Sequence, residues 1–360
     1  MKTDLTKDNL RNVAYWIIII SGIFFSLIYF RAFLEPIVLA LIVWYLIRSV
    51  RKIISKITVK GKSLPIIIQR VMAFVVTLSL LYGVYQIVSV NVKLISENAE
   101  SYDGNLQIFI DQLKDFTEAN SNYIPEFDVQ ETIEKIDYQS ILSGVFNSVS
   151  VLLGNFALVI VYVIFFLIEE NYFSKKLDKL FKKEGNKENI MEIFGQISTA
   201  VNKYFTVKTE VSLITGITSY LILLAWGVDF PVLWAFLIFI LNYIPYIGSL
   251  VSSLLPAIFA IFQFAAFPPF LYVFLSVEVV QIFVGNYVEP KLMGRTLNLS
   301  PLVVIMALSF WAAIWGIMGM ILSVPIISVA IIICAQFPST RGLAIMMTEN
   351  GNIEDVLKRQ

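Results

Sequence analysis

The chain has 360 residues with 27 basic and 27 acidic side chains, and 58% of it is hydrophobic. That balance exceeds a soluble domain's apolar content and offers no basic surface to nucleic acid. There is no histidine and one cysteine, Cys334, which excludes His-ligated zinc, Ser-His-Asp catalysis, a disulfide framework and a Cys-based metal site. No cofactor and no enzymatic activity are expected, and any proton carrier is a carboxylate or, less often, a Lys or Tyr.

Apolar segments recur at 13–30, 33–48, 65–90, 145–168, 205–227, 231–267, 269–288 and 301–337. About 20 apolar residues cross a bilayer, so the expected fold is an all-α polytopic membrane protein of about eight membrane segments. Lys2, Lys7 and Arg11 precede the first segment and no small-residue cleavage site follows it, which reads as an uncleaved span. Arg31 to Glu35 leaves room only for a tight hairpin. The loop after the second span carries Arg48, Arg51, Lys52, Lys56, Lys60, Lys62 and Arg70 without an acid, whereas 91–140 holds three lysines and eleven carboxylates. Seven lysines return in 169–203. Lysine and arginine bias places 48–64, 169–203 and both termini in the cytoplasm and 91–140 outside.

Six regions are expected. Residues 1–90 are N-terminal spans, 91–140 an outer amphipathic insertion, 141–168 a span and 169–203 a cytoplasmic helical hairpin. Residues 204–337 form a transport unit and 338–360 a cytoplasmic tail. In the outer insertion, Leu106, Phe109, Ile110, Leu113 and Phe116 recur at helical spacing, with Asp111, Lys114, Asp115 and Glu118 opposite. In the inner one, Leu177, Leu180 and Phe181 form one stripe and Ile190, Ile193, Phe194 and Ile197 another, about a turn at 183–186.

The transport unit contains two segments longer than one crossing. Pro231 to Pro269 encloses no charged residue, yet Pro245 and Gly248 interrupt it. The second segment runs from Pro301 through Gly316 and Gly319 to Pro325. Pro231 to Pro256 is 25 residues and Pro301 to Pro325 is 24. Each segment follows one ordinary span, so the pattern reads as two re-entrant or broken hairpins in an inverted repeat, a recurring plan of secondary transporters. Broken backbone at membrane depth survives only under protein or beside a polar cavity. Two full spans per segment are the alternative.

The first break offers Asn242, Tyr243, Pro245, Tyr246, Gly248 and Ser249 as a substrate-binding set, with Ser252 and Ser253 beyond it. Asn286, Gly316 and Gly319 would complete the set from the other side. Glu278 lies in mid-span, where a charge costs about 2.5–3.5 kcal/mol, and is functional by default. Glu289 is the second candidate for ion coupling. Lys208 and Glu210 open the span at 205, where snorkelling accounts for them.

Asn-Tyr-Ile-Pro-Tyr-Ile-Gly (242–248), Asn286 with Glu-Pro-Lys-Leu-Met-Gly (289–294), Ser-Pro-Leu-Val-Val (300–304), and Trp315-Gly with Gly319 and Val-Pro (324–325) resemble the autoinducer-2 exporter family of bacterial membrane proteins. The likeness covers nearly the whole chain. It implies an inner-membrane transporter, a homo-oligomer such as a pentamer, and an elevator-like mechanism. Members are linked to autoinducer-2 export, others to exchange of sodium or lithium for protons. One position departs: Val284 stands where an acid is common, leaving Glu278 as the deep acid of its span.

The expectation is thus proton-coupled export of a small polar solute, with sodium(lithium)/proton antiport or a non-transporting scaffold as alternatives. No G-x-x-x-x-G-K-[ST] loop is present to bind nucleotide. The partners are a solute or monovalent cation, protons, the lipid bilayer and further copies of the chain.

Overall fold

The computed structural model describes residues 2–59, 62–119, 156–180, 187–294 and 298–353. The rest of the acidic insertion, the start of the span expected at 145, Phe181, the turn at 183–186 and Arg295 lie outside the described residues.

Helices dominate. Helix α1 (Lys2–Tyr29) passes into α2 (Arg31–Ile54) through Phe30 alone. A two-residue antiparallel ribbon, Thr58–Val59 with Lys62–Ser63, leads to α3 (Ile66–Glu97). Then come α4 (Ala99–Ala119), α5 (Phe156–Leu180) and α6 (Lys187–Ala225). The last part comprises α7 (Pro231–Leu241), α8 (Ile247–Phe264), α9 (Phe267–Phe283), a π-turn (Val284–Val288), α10 (Glu289–Met293), α11 (Pro301–Gln336) and α12 (Arg341–Met347).

Six described helices are long and apolar enough to cross a membrane, and Ile17–Tyr29 and Pro231–Leu241 are shorter apolar helices. Large apolar side chains such as Ile67, Leu80, Leu213, Ile217, Leu221 and Leu275 face outward. Such a continuous apolar exterior needs lipid or another protein to cover it. The chain is an all-α polytopic membrane protein.

Two packed bodies emerge. In the first, α2, α3 and α5 enclose Ala40, Val43, Ile47, Ala73, Val159 and Val163. Arg51 adds an ion pair to Glu170 of α5 at 3.0 Å. In the second, α6 packs along α7, with Gly216 leaving space for the Ala235 carbonyl and the Phe239 side chain. Helix α6 is unbroken for 39 residues, roughly 58 Å at 1.5 Å per residue. The described parts of the inner insertion, up to Leu180 and from Lys187, are helical and continuous with the spans on either side. No proline interrupts the helix, so the charged segment simply continues into the span.

Both interrupted segments fold back on themselves. In the first, Phe230 at the entry and Phe259 near the exit have ring centroids 5.8 Å apart. Gln263 ties the ends together, donating to the Gly227 carbonyl at 2.8 Å and accepting from the Asp229 amide at 2.8 Å. In the second, Trp315 and Gly316 leave helical geometry, and Gly316 takes φ 58°, a conformation that suits a residue without Cβ. Leu308 then packs with Ile321, and Leu299 with Ile331 and Ala335. Each segment is thus a helical hairpin whose ends lie together.

Helix α4 packs against hairpin 1. Leu106, Phe109 and Ile110 are buried as their spacing requires. Tyr102 donates to Asp229 at 3.1 Å and Asn105 to the Gln263 carbonyl at 2.9 Å.

Candidate functional site at the hairpin tips

Pro245 has no amide hydrogen to continue α7. The chain instead reverses through Asn242–Tyr246. Tyr246 takes φ 60°, ψ −62°, and the Ile247 amide donates to the Pro245 carbonyl at 2.7 Å. This is a γ-turn of the rarer, strained hand. Among the described residues, the non-glycine positions with positive φ are Phe230, Tyr246 and Ala265: the entry, tip and exit of hairpin 1. Strain of this kind persists where the surroundings over-determine it and gathers at functional sites.

A glycine seals each tip. At Gly248 a Cβ would sit 1.9 Å from the Leu241 carbonyl oxygen, and at Gly319 it would sit 1.9 Å from that of Trp311. The two hairpins therefore share a closing device as well as proline spacing. In the second arm of each hairpin a proline, Pro256 or Pro325, removes one helical donor. The carbonyls of Ser252 and Ile321 are thereby freed from their helical bonds.

Polar atoms gather at two places beside hairpin 1. At the tip, Asn242 is buried and donates to the Ser212 hydroxyl of α6 at 3.2 Å. The Tyr243 and Thr209 hydroxyls share a hydrogen bond of 2.7 Å, and Tyr204 donates to the Tyr243 carbonyl at 3.3 Å. Lys208 pairs with Glu289 at 2.6 Å. Further along α8, Ser253 donates to Glu278 Oε2 at 2.6 Å and Gln281 to the Ser252 hydroxyl at 2.8 Å. Ser249 is half-buried, and its carbonyl accepts from Ser252. These contacts bind α9 to hairpin 1.

The remaining candidates are dispersed. Direct contact between the hairpins is apolar, made by Ile244 with Leu308 and Ile321. Gly316 lies away from hairpin 1, against the Arg31 guanidinium at the α1–α2 turn. Trp315 beside it donates to the Leu27 carbonyl at 3.1 Å, one of the last carbonyls of α1 and so in need of a donor. Asn286 is exposed on the π-turn, between buried Val284 and the Lys208–Glu289 pair. Single-turn π insertions are frequent at functional sites.

Lys208 does not snorkel: it is 5% exposed. With it, Ser212, Thr215 and Ser219 are buried along one face of α6. Their spacing of four, three and four residues was the available signal, since the same spacing marks an apolar stripe when the residues are apolar.

This architecture defines a class: a polytopic helical membrane protein with two interrupted hairpins and a buried polar face, features that recur in membrane transporters. A family model described as AI-2E family transporter matches residues 15–339, and the chain belongs to that family. It is 31% identical over 212 residues to the AI-2 transport protein TqsA of Escherichia coli (strain K12), covering 58% of this chain and 60% of TqsA. A Borreliella burgdorferi protein provisionally named a transport protein is 35% identical over 187 residues, 51% of each chain. The Bacillus subtilis protein YueF, provisionally named likewise, is 23% identical over 337 residues, 87% of this chain and 84% of YueF. The chain thus matches little more than half the length of the first two relatives. It is a multi-pass membrane protein of that family.

Proposed function

We propose that the protein is a secondary transporter of the bacterial inner membrane that exports a small polar solute such as autoinducer-2. The observation that carries this reading is the tip of hairpin 1. A strained turn there presents Asn242, Tyr243 and Tyr246 beside a buried face of hydroxyls on α6. Neutral donors and acceptors in an otherwise apolar wall suit a hydroxylated, uncharged solute better than a bare ion, because each solute hydroxyl must find a partner once it leaves water.

In this reading hairpins 1 and 2 move with α6 and α9 against α1–α3 and α5, in an elevator-like manner. Gly248 and Gly319 keep the tips thin, Asn286 and Ser249 border the passage, and Gly316 allows hairpin 2 to turn under Arg31. Coupling is to protons, with Glu278 as the carrier. Among the described residues it accepts a hydrogen bond from the Ser253 hydroxyl and pairs with no cation, so protonation neutralises it without leaving a cation unpaired. Several copies assemble, and both termini face the cytoplasm.

The test is uptake of labelled autoinducer-2 into inverted membrane vesicles, with and without a proton uncoupler. Uptake that collapses with uncoupler and is missing in Glu278→Gln supports the reading. Uptake no greater than in empty vesicles, together with proton movement driven by sodium or lithium, replaces it with antiport. In that case the oxygens of Glu278, Ser252 and Ser253 are the cation ligands to examine.

A further inference from the structure

We infer that Lys208 compensates the charge of Glu289 so that the pair crosses the membrane as a neutral unit, leaving coupling to Glu278 alone. The inference rests on the transporter reading above, and it separates two carboxylates that the sequence presents as equivalent coupling candidates.

The geometry is that of a closed pair. The Lys208 and Glu289 side chains are 6% and 22% exposed, with Nζ 2.6 Å from Oε1. A single ion moved out of water loses several kcal/mol of solvation, and a close counter-ion offsets much of that loss. Removing one partner leaves an uncompensated buried charge, which is the costly case. Glu278 differs. It receives a hydroxyl hydrogen bond from Ser253 and is paired with no cation among the described residues. No counter-ion among the described residues offsets its charge, unlike that of Glu289.

Location adds a second argument. Lys208 stands on the span of the first repeat, one turn before the Ser212 that holds Asn242. Glu289 follows the span of the second repeat, just after the π-turn. The pair therefore joins the two repeats beside the tip of hairpin 1 and travels with both. Several ionisable groups surround it. Tyr204 of α6 and Tyr246 of hairpin 1 interact electrostatically with Glu289, and Tyr243 does so with Tyr45 of α2. Lys291 follows on α10, and Glu349, beyond α12, acts on Tyr246. On α11 the neighbouring residues Val304 and Val324 are apolar. Tyrosines ordinarily ionise near 10, so they stay neutral in mildly acidic to mildly alkaline buffer.

The experiment follows alternation of the tip without any substrate. Full-length protein carrying Cys334→Ser, Glu278→Gln and Ile247→Cys is placed in right-side-out and everted vesicles. Labelling of position 247, exposed at the tip, is timed with a membrane-impermeant maleimide across the pH range. The parent, with its coupling proton abolished, should label from both sides at a rate that does not vary with pH once each rate, here and in the variants below, is divided by that of the same cysteine in unfolded protein at the same pH, which removes the thiol's own ionisation. Adding Lys208→Met should make labelling slow by about tenfold per pH unit once Glu289 loses its proton. Adding Glu289→Gln instead should reverse the slope, because Lys208 must then shed a proton to cross. Carrying both changes should restore the flat profile. Opposed slopes in the two single variants and a flat double variant support the role; where one single variant assembles poorly, a sloped profile in the other beside a flat double variant supports it. A flat profile in either assembled single variant, or a double variant as pH-dependent as the singles, overturns it while the transporter reading stands. Labelling of the parent from one side only, at every pH, overturns the transporter reading and this role with it.

Discussion

Gly248 and Leu241 meet so closely that the α-carbon hydrogen of one faces the carbonyl oxygen of the other; a Cβ at 248 would lie 1.9 Å from that oxygen. Gly319 stands in the same relation to Trp311. Because the obstacle is backbone, no side-chain rotation relieves it. Gly248→Ala and Gly319→Ala should each destabilise the protein by about 1–3 kcal/mol, the usual cost of overpacking, or more if the tip reopens. Gly83→Ala and Gly195→Ala are the controls. Both glycines lie inside helices with nothing within 4 Å of the added carbon, so alanine should be neutral or stabilise by about 0.5–1 kcal/mol. Thermal unfolding of the four purified variants checks the contrast.

Tyr246 carries the strained turn. Replacing it with glycine removes the steric penalty at φ 60° and should stabilise the isolated protein by about 1 kcal/mol, the lower end of such strain. Solute flux should fall in the same variant, since a glycine tip is free to leave the turn. Tyr246→Val should lower the unfolding temperature, β-branched residues being the least tolerant of positive φ. Equal unfolding temperatures for all three proteins would remove strain from the account of the tip.

The Tyr102–Asp229 contact predicts a response to alkali. Burial, and then the Asp229 carboxylate, push the Tyr102 phenol above its ordinary 10.0. The undocked phenol loses its proton at the ordinary value while the docked one keeps it. Docking of α4 on hairpin 1 is therefore at full strength below about pH 10 and weakens as pH rises beyond it. Hydrogen exchange of residues 99–119 should accelerate there. Tyr102→Phe should abolish that extra sensitivity and cost about 0.5–1.5 kcal/mol at neutral pH for the lost hydrogen bond.

Gln281 and Ser252 form the buried neutral counterpart of the Glu278–Ser253 contact. Ser252→Ala leaves the Gln281 amide without its acceptor and should cost about 1–3 kcal/mol. Ser252→Ala with Gln281→Leu should recover part of that loss, because both polar partners are then gone. A double-mutant cycle on unfolding free energy reads the coupling. Additive losses would mean that Gln281 finds another partner.

How much of this was legible beforehand depends on whether a backbone breaker marks the place. Pro245, Gly248, Gly316 and Gly319 announce the hairpins, since proline and glycine limit or widen backbone choice by themselves. The apolar face of α4 was equally readable, because Leu106, Phe109 and Ile110 repeat at the helical period. Lys208 was not. A lysine near the start of an apolar segment looks the same whether it reaches water or a carboxylate, and Glu289 is 81 residues away in sequence. The strain at Tyr246 was hidden too, because tyrosine is a residue for which positive φ is not expected. The stripes of the inner insertion announced helices on both sides of its turn, but not that each continues a neighbouring span. Nothing between Lys187 and Ala225 stops a helix, and α6 runs through.

That continuity has a mechanical consequence. Helix α6 is a rod with one end among charged, solvent-seeking residues and the other at the entrance to hairpin 1. Whatever displaces Ser212 displaces Lys187 with it. Any motion of the buried end is thus broadcast to the charged end, where an attached fluorophore could report it and a bound antibody fragment could arrest it.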